Sequence, residues 1–372
     1  MKKFQRLLVR LTVSVILTFV LLEIGLAALC AAGKLPIQRP SYRPGNVWSK
    51  FWADINPVFG VWHQPLSSYT HISPCYRLKY HANAQGMRDR ERTTSAPGRR
   101  RVVVLGDSFM EGWGVATADR LSDRLERATG LEHLNFGTSG SFGPTQEYLL
   151  YKTLAKNFDH DAIILALLPD NDFLDDDYEY GLKMNKGRIR PYFVGADPDY
   201  QLVYLPKEDQ PSLLARLTEN ALRQFTYTGN LIKYMKSMKR HAASGTSPNY
   251  AGYFDYTPEQ FARLKKVLTE LRREAGNKPI LVLTIPCDTD IRRRKEAGEP
   301  PLPAKMREAC AALNMQYLDL LPATRDAKGG WQTCFLSCDR HWNAEGNEMA
   351  AQAVLKAAEF YRTWQVEPNT RP

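Results

Sequence analysis

The sequence predicts an α/β protein: three layers, αβα, around a central and mainly parallel sheet, preceded by one transmembrane helix. Three observations carry this expectation. A predominantly apolar stretch over residues 11–33 is long enough to cross a bilayer as a helix. From Arg101 onward, short apolar runs alternate with amphipathic segments, as βαβ units do. The run Arg101-Val-Val-Val-Leu-Gly-Asp-Ser-Phe-Met110 is continuously apolar until it stops at Gly106-Asp107-Ser108, as a strand covered on both faces would.

The 372-residue chain is 44% hydrophobic and 24% charged, which suits one large or two modest domains with ample core. Residues 1–10 read as a basic cytoplasmic tail carrying Lys2, Lys3, Arg6 and Arg10. The span at 11–33 is longer than the roughly 7–15 apolar residues of a cleaved signal peptide. Basic residues before the span favour a cytoplasmic amino terminus. The remainder is then expected in the periplasm or outside, with a bacterial inner membrane as the host. Lys34, Arg39 and Arg43 just beyond the span weigh against that orientation. Glu23 falls near the middle of the span, where an isolated ionised carboxylate costs about 2.5–3.5 kcal/mol. It calls for protonation, snorkelling or a contact with another membrane helix, and so marks a candidate site for a membrane-protein partner.

The formal charge of +10 dissolves on inspection. Residues 1–50 hold eight Lys or Arg against Glu23 alone, leaving only +3 for the rest. Nucleic-acid binding therefore has no charged face to use.

Residues 34–97, rich in Pro, Trp, Tyr and Arg, read as an extracytoplasmic lead-in, followed by a main domain over 98–365 and a tail at 366–372. Strands are expected at 102–105, 133–136, 162–168, 280–285 and 316–320. Helices are expected at 120–129, 144–157, 258–275, 303–313 and 344–361. The alternation breaks over 175–256, where a hairpin at 191–194 and 202–205 precedes one or two helices at 213–239. An insertion directly after a strand end is well positioned to cover a pocket. Six cysteines are present, and outside the cytoplasm they are free to pair. Cys334 and Cys338 stand just before a His-containing loop that a crosslink between them would stiffen, although connectivity does not follow from spacing. No Cys and His spacing suits zinc.

The abrupt end of the 102–105 strand makes Ser108 a candidate nucleophile, because open α/β sheets place ligand chemistry at the carboxyl ends of strands. Serine needs a base. His341, in Cys338-Asp-Arg-His-Trp-Asn343 before the last long helix, has the most suggestive surroundings of the seven histidines. Oxyanion stabilisation needs fixed donors. Gly140, in a glycine-rich turn after the second strand, offers an unobstructed backbone N–H, and Asn171, in Leu168-Pro-Asp-Asn-Asp172, offers an amide.

The order of these four segments resembles the SGNH hydrolase superfamily, the GDSL-like esterases, over about residues 100–360. The resemblance implies an SGNH (flavodoxin-like) fold with Ser108 as nucleophile and His341 as base. It also implies an oxyanion hole formed by the N–H groups of Ser108 and Gly140 with the Asn171 side chain. The chain departs from the family twice. The third block reads Pro169-Asp-Asn-Asp172 and not Gly-x-Asn-Asp, and the usual acid position, three before the histidine, is Cys338. Asp339 is then the candidate acid, unless a backbone carbonyl orients His341. A serine esterase acting on an acylated small molecule or on O-acyl groups of an envelope carbohydrate is expected, with no metal or organic cofactor. An O-acyltransferase working with a membrane partner and a non-catalytic carbohydrate-binding domain are the alternatives.

Overall fold

The computed structural model describes residues 2–40, 42, 51–185, 187–206, 212–244, 247 and 249–366. The tail at 366–372 therefore lies almost wholly outside the described residues.

Helix α1 (Lys2–Ala31) contains the one stretch long and apolar enough to cross a membrane among the described residues. It starts well before residue 11, since the basic first residues include no helix breaker. Its apolar side chains are exposed from Phe4 to Leu22, and only Leu26 and Cys30 become buried. The lead-in folds into two antiparallel hairpins, β1 (Trp52–Asn56) with β2 (Gly60–His63) and β3 (Ser68–Ser73) with β4 (Tyr76–His81). It is fastened to the main domain by buried Arg88, whose guanidinium donates to the carbonyls of Glu111 and Val115 at 2.8 Å and lies over the Tyr80 ring.

The central sheet has five parallel strands: β5 (Arg101–Gly106), β6 (Glu132–Asn135), β7 (Ala162–Leu167), β10 (Ile280–Thr284) and β11 (Gln316–Asp319). Between β7 and β10 the chain forms the small hairpin β8 (Pro191–Val194) and β9 (Gln201–Tyr204). The spatial order is β11-β10-β7-β5-β6, so the first strand has the second on one side and the third on the other. That reversal opens a crevice at the carboxyl ends of β5 and β7, the expected ligand position of such a sheet.

Successive side chains of a strand point to opposite faces. Here they separate into two cores. Val103, Leu105, Leu134, Ile163, Leu165 and Val282 pack under the helices Pro144–Thr153, Pro258–Ala275 and Leu302–Ala312. Val102, Val104, Ile164, Ala166, Leu281 and Leu283 pack under Leu121–Thr129 and Ala344–Ala357. Both faces are covered, so the inner strands β5, β7 and β10 carry apolar residues with little alternation while the edge strands β6 and β11 keep polar ones, and a three-layer αβα fold results.

Within the insertion, two helices, Leu213–Phe225 and Tyr227–Ser244, form an antiparallel pair that packs on α1. The Glu23 carboxylate accepts from the backbone N–H groups of Tyr227 and Thr228 at 2.7 and 2.8 Å. A carboxylate facing unsatisfied N–H groups and the positive end of the helix dipole is electrostatically favoured. Glu23 is thus engaged by a helix of its own chain.

Candidate active site

Ser108 begins the short helix Ser108–Glu111 directly after β5. Gly106 has φ +154° and a Cβ there would meet Met110 and the Ala166 carbonyl, so glycine is needed for the tight exit from the strand. Asp107 caps the turn by accepting from the Phe109 N–H at 2.9 Å. Its burial pushes the carboxyl up to about 6, against the opposing hydrogen bonds of Phe109 and Asn171 and the charge of His341. As the first helical residue, Ser108 has a backbone N–H with no carbonyl four residues back in the helix, and it faces the crevice end of the sheet.

The His341 loop is closed by the Phe335–Trp342 bridge and by the Leu336 N–H to the His341 carbonyl at 2.9 Å. Asn343 then caps the helix Ala344–Ala357 through the Gly346 N–H. This brings His341 Nε2 to 2.7 Å from Ser108 Oγ, although the two residues are 233 apart in the chain. His341 Nδ1 lies 2.6 Å from Asp339 Oδ1, and the Trp113 indole N–H donates to Asp339 Oδ2 at 2.9 Å. Burial tends to push the Asp339 carboxyl up, but the hydrogen bond and charge of His341 and the Trp113 donor outweigh it and hold the group below its ordinary range. Of the two orienting groups considered for His341, the carboxylate is the one at the ring. The imidazole is stacked by Trp113 at 5.3 Å and flanked by Phe109 at 5.0 Å, which fixes its plane.

Gly140 sits at φ +113° in the turn after β6. Its carbonyl accepts from Arg188 and Arg190, both in the insertion, and its N–H has no acceptor among the described residues. Asn171 lies in the first turn of the helix Pro169–Asp175 after β7. Its Nδ2 is 3.4 Å from Asp107 Oδ2, and its buried Oδ1 has no partner among the described residues. Ser108, Gly140, Asn171 and the pair Asp339 and His341 thus come from four separate segments that follow the carboxyl ends of strands or precede the last long helix.

The crosslink considered between Cys334 and Cys338 does not form. Cys338 is bonded to Cys75, 263 residues away, and Cys334 is a free, buried thiol. The reason is geometric: Cys334 ends the turn Trp331–Cys334 with its side chain turned into the core, whereas Cys338 stands at the loop tip against the β3–β4 turn. The bond therefore ties the His341 loop to the lead-in.

Other residues at the site carry no local sequence signal. Glu111 is fully buried and accepts from the Ser139 N–H at 2.7 Å and from Trp52 Nε1 at 3.1 Å, with His63 Nε2 at 3.3 Å. It thereby holds the residue next to Gly140. His71 packs edge-on to Trp113 at 4.3 Å, and burial lowers its imidazole pKa to about 4. Among the described residues, no group of three or more His, Cys, Asp or Glu is arranged to hold a metal ion.

In fold the chain is similar to the GDSL-family lipolytic proteins. A lipolytic protein of the G-D-S-L family from Veillonella parvula matches with a TM-score of 0.39 at 12% identity, covering 70% of this chain and 98% of that one. A lipase/acylhydrolase from Enterococcus faecalis matches with a TM-score of 0.38 at 12% identity, covering 73% and 100%. A salicylyl acyltransferase from a tetracycline biosynthetic pathway matches with a TM-score of 0.36 at 14% identity, covering 74% and 59%. No protein-family model and no curated protein matches the sequence.

Proposed function

We propose that the chain is a membrane-anchored serine esterase that hydrolyses O-acyl esters of an envelope or extracellular carbohydrate. The carrying observation is the unbroken hydrogen-bonded path from Asp339 through His341 to Ser108, 2.6 and 2.7 Å at its two links. In this mechanism His341 Nε2 takes the Ser108 proton as Oγ attacks the ester carbonyl carbon. The oxyanion is met by the N–H groups of Ser108 and Gly140 and by the Asn171 amide, which turns from Asp107 to the substrate. Collapse of the intermediate breaks the carbon–oxygen bond to the leaving alcohol, which receives the proton from the imidazolium. Water, deprotonated by the same nitrogen, then attacks the acyl-serine and releases the carboxylic acid. Asp339 holds the tautomer and stabilises the imidazolium without itself accepting the proton.

An extracytoplasmic site is supported by the Cys75–Cys338 bond, which persists only in an oxidising compartment, and by the apolar surface of α1. The carbohydrate ester is proposed on that location and on the range of the family that the sequence resembles.

The test uses the full chain in detergent. A fluorophosphonate probe should label the wild type and leave Ser108→Ala unlabelled; absence of wild-type labelling, or equal labelling of the variant, overturns the nucleophile assignment. With an O-acetylated sugar donor, release of free acetate supports hydrolysis, and transfer of acetate to an added sugar without free acid replaces it by acyl transfer.

A further inference from the structure

A cavity of about 270 Å³ lies beside the candidate active site. Trp113 forms part of its wall while stacking on His341, so one aromatic ring separates the cavity from the imidazole. The opposite wall is the helix pair of the insertion, which contributes Arg223 and Lys233, and the extended segment after α1 contributes Arg39. Among the described residues, none of these three cations has a salt-bridge partner and no carboxylate lines the cavity. Glu219, on the helix pair, is bridged to Lys236 at 3.3 Å and offsets the charge of Arg223 and Lys233 only through space. Arg223 Nε is cut off from solvent with no hydrogen-bond partner.

Three cations that share one already paired carboxylate do not gather in a half-buried hollow without cost. Burial lowers the pKa of Arg223, and burial together with the Arg223 charge lowers that of Lys233, in both cases against the opposing charge of Glu219. An anion between them would remove the repulsion and supply the missing acceptor. The rest of the lining is mostly polar, with the amides of Gln38, Asn220 and Asn230 and the rings of Tyr69, His71 and Trp113, and Ile72 and Pro74 form its small apolar part. Amides and ring faces suit a polyhydroxylated ring and offer no apolar groove for acyl chains.

We infer that this cavity is a subsite for an acidic sugar, bound through its carboxylate by Arg39, Arg223 and Lys233. The inference rests on the esterase reading and narrows its substrate to an ester of an anionic saccharide.

Binding is measured by calorimetry on full-length Ser108→Ala in phosphatidylcholine nanodiscs, so that no turnover is needed. A failure of the esterase chemistry leaves this measurement intact. Tetragalacturonate should bind at least about tenfold more tightly than neutral maltotetraose, and Lys233→Met or Arg223→Gln should each weaken it by about tenfold. Lys233→Arg should restore binding. Arg39→Gln, at an exposed position outside the helix pair, gives the same test without touching the packing of that pair. Equal binding of the two saccharides, or tetragalacturonate binding unmoved by both Arg39→Gln and Lys233→Met, overturns the inference. Complete displacement by nanodiscs containing phosphatidylglycerol also overturns it, because the occupant would then be a lipid headgroup.

Discussion

Glu111→Gln is the substitution that separates positioning from chemistry most cleanly. Its oxygens accept from the Ser139 N–H and hydroxyl and from the Trp52 indole N–H, which reaches both, with the His63 ring beside them at 3.3 Å. An amide NH2 placed there meets another donor whichever way it turns. Burial alone would raise the carboxyl pKa, but His63, Arg88 and the Ser139 hydrogen bond overturn that and bring it from an ordinary 4.5 to about 2. At about 1.4 kcal/mol per pH unit, the difference is worth about 3 kcal/mol to the folded state. The sign follows from a folded pKa below the unfolded one. The contribution is fully present above pH 4.5 and fades as the pH falls toward 2. Glu111→Gln is therefore expected to lose about 3 kcal/mol at neutral pH, with the loss shrinking in acid. Because Glu111 holds Ser139, and with it the Gly140 turn, kcat for p-nitrophenyl acetate should fall by at least about tenfold. Unfolding of the full chain in detergent, followed from pH 3 to 8, and steady-state hydrolysis provide the readouts. A loss below about 1 kcal/mol at pH 7, a loss independent of pH, or an unchanged kcat would refute the reasoning.

Three further outcomes are expected. Asn171→Ala should lower kcat by about 10²–10³ with little change in KM for a small ester, and a change confined to KM would remove Asn171 from the oxyanion site. Cys75→Ser opens the bond that closes 263 residues of chain and should cost about 2–5 kcal/mol, read by thermal unfolding. Dithiothreitol should then have no further effect on the variant, and an additional loss would point to another disulfide. Glu147 is fully buried with both carboxyl oxygens unpartnered among the described residues, and burial, reinforced by Asp107 and Asp176, raises its pKa well above the ordinary range. The folded state keeps this proton while the unfolded chain releases it, so stability falls as the pH rises from 4.5. Glu147→Gln should make the decline between pH 5 and 8 shallower, and an identical slope would contradict the assignment.

Local pattern was enough for the framework. Continuous apolar runs marked the three inner strands β5, β7 and β10, because strands covered on both faces leave few polar positions, whereas the mixed edge strands β6 and β11 were found from their place in the alternation of strands and helices. The helix Pro258–Ala275 was legible from its apolar spacing, and the structure ends it where Thr257 caps its start and Gly276 its finish. The lead-in hairpins were not legible, since their strands run through mixed polar and aromatic residues whose burial is decided by packing against the main domain. The short helices Tyr178–Met184 and Asp288–Ala297 escaped for a similar reason: each is brief, charged and fixed by contacts outside itself.

At the site the same division holds. Ser108, Gly140, Asn171 and His341 could be picked out because each ends a strand or precedes a helix, where backbone geometry leaves a mark on composition. What three-dimensional packing alone decided was which distant groups meet them. Trp113 on Asp339, Glu111 on Ser139, Arg188 and Arg190 on the Gly140 carbonyl, and Cys75 on Cys338 all join segments far apart in the chain. Strand and helix periodicity is written by short-range geometry and survives in one dimension. Partner choice between remote side chains depends on where closed loops bring them, and that information exists only once the chain has folded.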